Sequence, residues 1–405
     1  MNHPVRTWIP LALAGVLSTV AAPATADTLE DLSDAVAGGT VKTNFRYRYE
    51  YVDQEGFDEE AGASTLLARL TYTSAPVFDG WQLGLEADYV ALIGDENYNS
   101  TENGNTEFPV VADPEGFDLN LAFLRYKKDS FTFTGGRQRI AFGDQRFVGG
   151  VAWRQNEQTY DSLRFQYGVN EKLKLDYSYI WNVNRIFGPD DGAQPADWHG
   201  NSHLLAADYA IAEGHSLRGF AYLLDFENGN GRPNSNNTFG LRYRGKVGAV
   251  GLNATVATQS DAGDNPVSFD ADYLGLEASY ALKPLTPFVG YELLGSDDGN
   301  FAFRSPLATL HKFNGFADLF LLTPNSGIED TYVGVRGKLG GVNLMARYHD
   351  FQSDEGSIDY GTEFNVVATW QVTKHFTTQL KFADYSADDF GRDTTKFWFS
   401  MIVKL

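Results

Sequence analysis

From Thr40 to Leu405 the chain reads as eighteen stretches of alternating apolar and polar residues, with no helical stretch between them. The last stretch shows the pattern best. Phe397, Phe399, Met401, Val403 and Leu405 take one face; Lys396, Ser400 and Lys404 take the other, with Trp398 and Ile402. Side chains alternate along a strand, so this segment has one greasy face and one largely wet face. A soluble sandwich also alternates, but it does not usually need so many long strands without helices. Lipid cannot satisfy an open sheet edge, and closure into a barrel removes the edge. The expected fold class is therefore all-β, a transmembrane antiparallel β-barrel. Eighteen strands is the leading count, and sixteen the alternative if one hairpin is discarded.

Residues 1–26 read as a cleaved signal peptide. Arg6 supplies the positive start, Trp8 to Ala22 is apolar, and Ala24, Thr25 and Ala26 form a small-residue cleavage site before Asp27. The apolar run falls short of the ~20 residues of a membrane helix, and Pro10 interrupts it. Residues 27–39 form a short periplasmic segment in which Leu29, Leu32 and Val36 suit a small helix; residues 40–405 are the barrel. The chain has no cysteine, which excludes disulfides and thiolate metal sites. Its 41 glycines, 21 tyrosines and 29 phenylalanines suit turns and interfacial aromatic girdles. The formal net charge of -21 argues against a nucleic-acid partner. Much of that charge is expected on external loops, among lipid and lipopolysaccharide. The acidic run at 53–60, Asp297 with Asp298, and Asp388 with Asp389 could take calcium through oxygen ligands there, although the ordered spacing of an EF-hand is absent.

The strands are read near 40–53, 63–74, 81–95, 117–127, 130–139, 157–168, 171–185, 200–210 and 215–226. The remainder lie near 238–245, 249–259, 268–281, 284–296, 328–338, 341–353, 358–371, 374–387 and 393–405. Connectors alternate in kind. Tight ones include Lys128 with Asp129, Val169 with Asn170, and Leu339 with Gly340; long ones include 96–116, 140–156, 186–199, 227–237 and 297–327. Outer-membrane barrels have short periplasmic turns and longer external loops. An even count then places both ends of the barrel on the periplasmic side.

Alternation also assigns faces. With Phe45, Tyr47, Tyr49 and Tyr51 toward lipid, Lys42, Arg46, Arg48 and Glu50 point into the barrel. The same rule turns Arg69, Arg164, Arg242, Arg244, Arg336, Arg347, Lys381 and Lys396 inward, and with them Glu86, Asp88, Asp176, Asp208, Glu277, Glu292 and Glu363. A charge on the lipid face costs roughly 2–4 kcal/mol at mid-membrane, which favours this assignment. Two readings stay open. Either the arginines form a track for an anionic solute, matching carboxylates with their fixed fork of donors, or they pair with acids on neighbouring strands and fill the wall.

Two blocks carry a resemblance. Residues 135–165 contain Gly136, Arg137 and Gln138, then Arg146, Trp153, and Tyr160 with Asp161; residues 310–335 contain His311, Lys312, Phe313, Asn314 and Gly315, then Ala317 with Asp318 and a Gly-x-x-Asp-x-Tyr approach to the next strand. With the opening strand from Arg46 to Glu50, these blocks resemble the alginate export family of outer-membrane barrels. The resemblance implies a monomeric, eighteen-stranded barrel whose electropositive lumen conducts anionic polysaccharide. It points to Arg46, Arg48, Arg69, Arg137, Arg139, Arg146 and Arg164, and to a fold-in constriction at 310–327 with His311, Lys312 and Asn314.

Other chemistry finds little support. His199 and His203 sit at a loop-to-strand junction, and their spacing on a strand would separate them by about 13 Å, too far for one metal. No local signature marks a nucleophile, base and orienter, so no enzyme and no cofactor are expected. Three functions remain: a channel for anionic sugars or polysaccharide, a general diffusion porin with weak selectivity, and a closed adhesive or receptor barrel.

Overall fold

The computed structural model describes residues 26–405; the expected signal peptide lies outside them save for Ala26. Helix α1 (Ala26–Ala37) comes first. The wall begins with β1 (Thr40–Gln54), β2 (Ala61–Thr73), β3 (Trp81–Leu92), β4 (Gly116–Lys128), β5 (Phe131–Gln138) and β6 (Thr159–Gly168). It continues through β7 (Leu173–Asn184), β8 (Asp197–Ala212), β9 (His215–Leu224), β10 (Asn236–Val247), β11 (Val250–Asp261), β12 (Asp270–Tyr280) and β13 (Leu285–Leu294). The short β14 (Ser296–Asp297) and β15 (Phe301–Ala302) form a separate hairpin inside the next loop. The wall ends with β16 (Ile328–Leu339), β17 (Val342–Gln352), β18 (Asp359–Gln371), β19 (Phe376–Ala387) and β20 (Thr394–Lys404).

Each wall strand pairs antiparallel with its neighbours in the chain, β13 pairs with β16, and β20 closes on β1 with Asn44 opposite Lys404 and Gln54 opposite Thr394. The result is a closed barrel of eighteen strands, which decides between the two counts. Every backbone donor and acceptor along the wall can find a partner without water, as hydrocarbon demands. Strand β2 shows the resulting two-sidedness. Ala61, Ala63, Thr65, Leu67 and Arg69 are buried on the inner face, while Leu70 is 53% exposed on the outer one. Aromatics mark the outer rim at the short-turn end: Trp81 lies 5.0 Å from Tyr126, and Phe133 lies 5.1 Å from Phe165. In β4 the alternation breaks. The register shifts opposite Glu86 and Ala87, making Asn120 an extra residue, so Phe117 and Leu119 face out while Leu121 and Phe123 beyond the bulge are buried.

At the long-loop end the segments 93–115 and 185–196 dock on each other through Ala193 N–H and the Thr101 carbonyl, 2.7 Å apart. Glu102 is caught in this contact. Desolvation, and secondarily the charge of Asp190, raise its carboxyl to about 7. A carboxyl raised in the docked state makes docking strongest when protonated. Docking should therefore weaken as pH climbs from the ordinary 4.5 to about 7, then level off.

Two outcomes are expected. Leu241, on the outer face and 52% exposed, tests the facing: Leu241→Arg should cost about 2–4 kcal/mol if it sits near the midplane and reduce the heat-modifiable folded fraction on gels. In hydrogen exchange corrected for intrinsic rate, protection of the Ala193 amide should fall between pH 5 and about 7. Glu102→Gln should remove that dependence.

Candidate functional site

Two loops fold into the lumen, 139–158 after β5 and 295–327 after β13. Their apolar residues explain why. Ile140, Phe142, Val148, Phe303, Leu307, Phe316 and Phe320 would be costly in water, and they form one buried cluster with inward-facing Tyr222, Tyr273, Phe351, Tyr385 and Trp398 of the wall. Phe142 stacks on Tyr222 at 5.9 Å, Phe147 meets Tyr273 at 5.1 Å, and Phe320 meets Phe351 at 4.7 Å. Each such side chain contributes about 1.5–3 kcal/mol when fully buried. The loops also hold each other, through Gly149 N–H to the Leu307 carbonyl (2.8 Å) and Thr309 N–H to the Gln145 carbonyl (3.0 Å). They form a plug with a core of its own.

The His-Lys-Phe-Asn-Gly turn is fixed by backbone geometry. Asn314 and Gly315 have φ of 50° and 87°, and a Cβ on Gly315 would lie 2.1 Å from the Glu363 carboxylate. Only glycine admits that approach. The same carboxylate accepts the N–H groups of Phe316 (2.5 Å) and Ala317 (2.8 Å), pinning the loop to β18. His311 hydrogen-bonds Asp318 at 2.7 Å through Nδ1 and meets the Lys381 ammonium at Nε2. That ammonium lies 4.1 Å from the Trp153 ring and 3.2 Å from the Phe316 ring, so one buried lysine of β19 clasps both loops by cation–π contact.

Wall arginines hold the other loop. Arg46 donates to the Gln155 side chain (2.8 Å) and the Ala152 carbonyl (2.9 Å); Arg48 donates to the Trp153 carbonyl (2.5 Å) and lies over the Trp153 ring. Arg69 and Arg139 share Glu157 and Glu86, and Arg69 also pairs with Asp88 at 2.6 Å. Arg154 spans the lumen, pairing with Glu50 of the wall (2.9 Å) and Asp318 of the other loop (3.5 Å). Arg69 and Arg154 are buried, and Arg139 half-buried, with carboxylate partners, as a buried charge requires, whereas Arg46 donates only to neutral oxygens of the loop.

A cavity of about 100 Å³ lies beside the plug, lined by Asp144, Arg146, Arg242, Glu277, Glu292, Lys312, Asn314, Asp330 and Arg347 with Tyr273 and Tyr332. Three of its carboxylates have strong partners. Asp144 takes both terminal nitrogens of Arg242; Glu292 accepts from Arg146 (2.6 Å), Tyr273 (2.5 Å) and Asn314 (2.8 Å); Asp330 contacts His349 at 2.7 Å. Two of the lining cations, Arg347 and Lys312, are less engaged. Arg347 gives one hydrogen bond, to the Lys312 carbonyl at 3.2 Å, and its Nε has no partner. Lys312 reaches only the Asp144 carbonyl at 3.5 Å, and Arg244 is half exposed with Asp144 3.8 Å away. Donor capacity remains here for an anion.

The structure thus gathers Arg146, Arg242, Arg347, Lys312 and Asn314 around one cavity, with Arg244 outside its lining and 3.8 Å from Asp144, and brings His311 into the clasp. It puts Arg46, Arg48, Arg69 and Arg139 on the plug. Arg164 pairs with Asp176 on the adjacent strand (2.6 Å), and Arg336 with Glu277 (3.1 Å). Arg137 mends the wall where β5 leaves it, binding Asp161 at 2.8 Å and the Leu119 carbonyl at 3.1 Å. Sequence reasoning did not single out Asp144, Arg154, Glu157 or the plug role of 139–158. The signal was a loop carrying buried-type residues such as Ile140 and Phe142 between charged ones.

Against known proteins, the profile of the family described as Alginate export matches residues 39–290. No curated protein matches the chain significantly in sequence. Among solved structures, the chain is similar to Pseudomonas aeruginosa OpdO, with TM-score 0.69 and 13% identity over 92% of this chain and 99% of that one. It is similar to Acinetobacter baumannii OccAB4, with TM-score 0.68 and 16% identity over 90% of this chain and 98% of that one. It is also similar to Pseudomonas aeruginosa OpdK, solved with vanillate, with TM-score 0.69 and 13% identity over 90% and 98%. At such identities the likeness is one of fold, an outer-membrane porin barrel.

Replacing Glu363 by Ala would strip the Ala317 amide of its acceptor and leave the Phe316 amide only the longer bond to the Asn365 side chain at 3.2 Å. Each unsatisfied buried donor costs about 1–3 kcal/mol. The variant should keep a folded barrel but show larger and noisier single-channel conductance in planar bilayers. Unchanged conductance would mean that the loop does not limit the current.

Proposed function

The chain belongs to the alginate export family, and from that premise we propose that this integral outer-membrane channel passes anionic sugars or saccharide chains. The observation that carries the reading is the imbalance of unused donors at the cavity. Its carboxylates are tied to neighbouring donors, whereas Arg347 and Lys312 keep free N–H groups. A guanidinium can offer five donors in a planar fork suited to carboxylate. Carboxylates on external loops act weakly here, because salt screens them beyond ~8–10 Å. The cavity, about 100 Å³, has the volume of roughly three waters. A carboxylate group fits it; a saccharide chain requires the loops to yield.

One observation favours a second reading, a general porin of weak selectivity. The cavity lining carries Asp144, Glu277, Glu292 and Asp330 against Arg146, Arg242, Lys312 and Arg347, a formal balance.

Reversal potentials under a salt gradient separate the two. The expected result is a modest anion preference. A unit charge 4 Å away in water is worth about 1 kcal/mol, about a fivefold change in ion occupancy. Lys312→Gln with Arg347→Gln should shift permeability toward cations by up to about that factor per charge. A wild-type pore that is strongly cation-selective would overturn the anionic-solute reading and leave the general porin. An oligouronide that blocks the wild-type current, and blocks the double variant less well, would support the saccharide.

A further inference from the structure

We propose that helix α1 is an interfacial helix lying in the periplasmic leaflet of the outer membrane, its apolar stripe against lipid chains. Leu29, Leu32 and Val36 follow the three- and four-residue spacing of one helical face, and they are 60%, 41% and 58% exposed. Successive residues turn by about 100° on a helix, which puts Asp27, Glu30, Asp31 and Asp34 on the opposite face.

The attachment decides which side of the wall the helix serves. The Val36 carbonyl accepts the Tyr72 hydroxyl at 2.7 Å, and the Ala35 carbonyl accepts the Ala75 N–H at 2.9 Å. Tyr72 shares the outer face of β2 with Leu70, and a Cβ on Gly39 would lie 2.4 Å from the Tyr72 ring. The chain therefore crosses the outer surface of the wall before entering β1. Ala35 is the buried point of contact, against the 74–80 turn whose tip shows Phe78. That turn ends at Trp81, where the outer aromatic row begins.

The occupant follows from continuity. The Val36 end of the stripe is bonded to outward Tyr72, on the surface the barrel already gives to lipid, while Asp31 and Asp34 line an open groove against the 75–79 turn. Amphipathic helices that lie on a membrane bury their apolar face at the headgroup–acyl boundary. The polar face carries acids and no base, which suits ethanolamine headgroups rather than anionic ones.

The absence of cysteine makes the test direct, since each variant takes one label. Leu32→Cys and Asp31→Cys, each carrying an environment-sensitive dye, are compared in the full folded barrel in nanodiscs of phosphatidylethanolamine and phosphatidylcholine. Heat modifiability confirms folding. Nitroxide on the upper acyl chain should quench the Leu32 label several-fold more than the Asp31 label, and aqueous iodide should do the reverse. Iodide quenching both labels alike would overturn the proposal in favour of a helix in the periplasm. A Leu32 label shielded from both quenchers would overturn it in favour of a protein partner on that face. In bilayers enriched in phosphatidylglycerol the nitroxide quenching of Leu32 should weaken; an increase would contradict the headgroup assignment.

Discussion

Hydrocarbon offers no partner to a peptide N–H or C=O, and everything else in this molecule is arranged around that fact. It forces the pairing of β20 with β1 and gives each strand two faces of opposite character. Connectors that pass into water can be long; those that merely reverse the chain are short. The two loops that leave the wall and come back inside do so where lipid never reaches.

Inside, the problem is reversed. The lumen holds many ionisable groups in little water, and buried charges persist only with counter-charges and hydrogen bonds. The plug supplies both. Arg154 joins Glu50 of the wall to Asp318 of the opposite loop, and Glu157 sits between Arg69 and Arg139. These contacts give direction, while the shared aromatic core of Phe142, Phe147, Phe303 and Tyr273 gives cohesion. The acidity of the chain is thus partly structural.

The wall was legible in sequence because a period of two is local information. The faces of Arg46, Arg48, Arg69 and Arg242 follow from their immediate neighbours. The Asn120 bulge was not legible, since an extra residue looks like any other until its partner strand is known. Partners were harder still. Arg69 was readable as inward, but its bond to Glu157 depends on a loop crossing the barrel, and no spacing encodes that. Glu157 itself read as the start of a strand that begins at Thr159. Inward Tyr222 and Tyr273 were hidden by composition, because the same residue type serves the outer girdle.

The pairing of the lumenal charges bears on how anything could pass. Arg242 is occupied by Asp144, and Arg146 by Glu292, before any solute arrives. Such a constriction behaves as an ion exchanger already loaded with its own counter-ions. On the reading proposed above, an anion reaching Arg242 or Arg146 would trade one carboxylate for another and gain little net energy there, and only Arg347 and Lys312 would offer donors not already taken. Low affinity with fast exchange would then follow from the wiring at these two arginines, and tighter capture there would require the loss of an internal acid rather than the gain of another base.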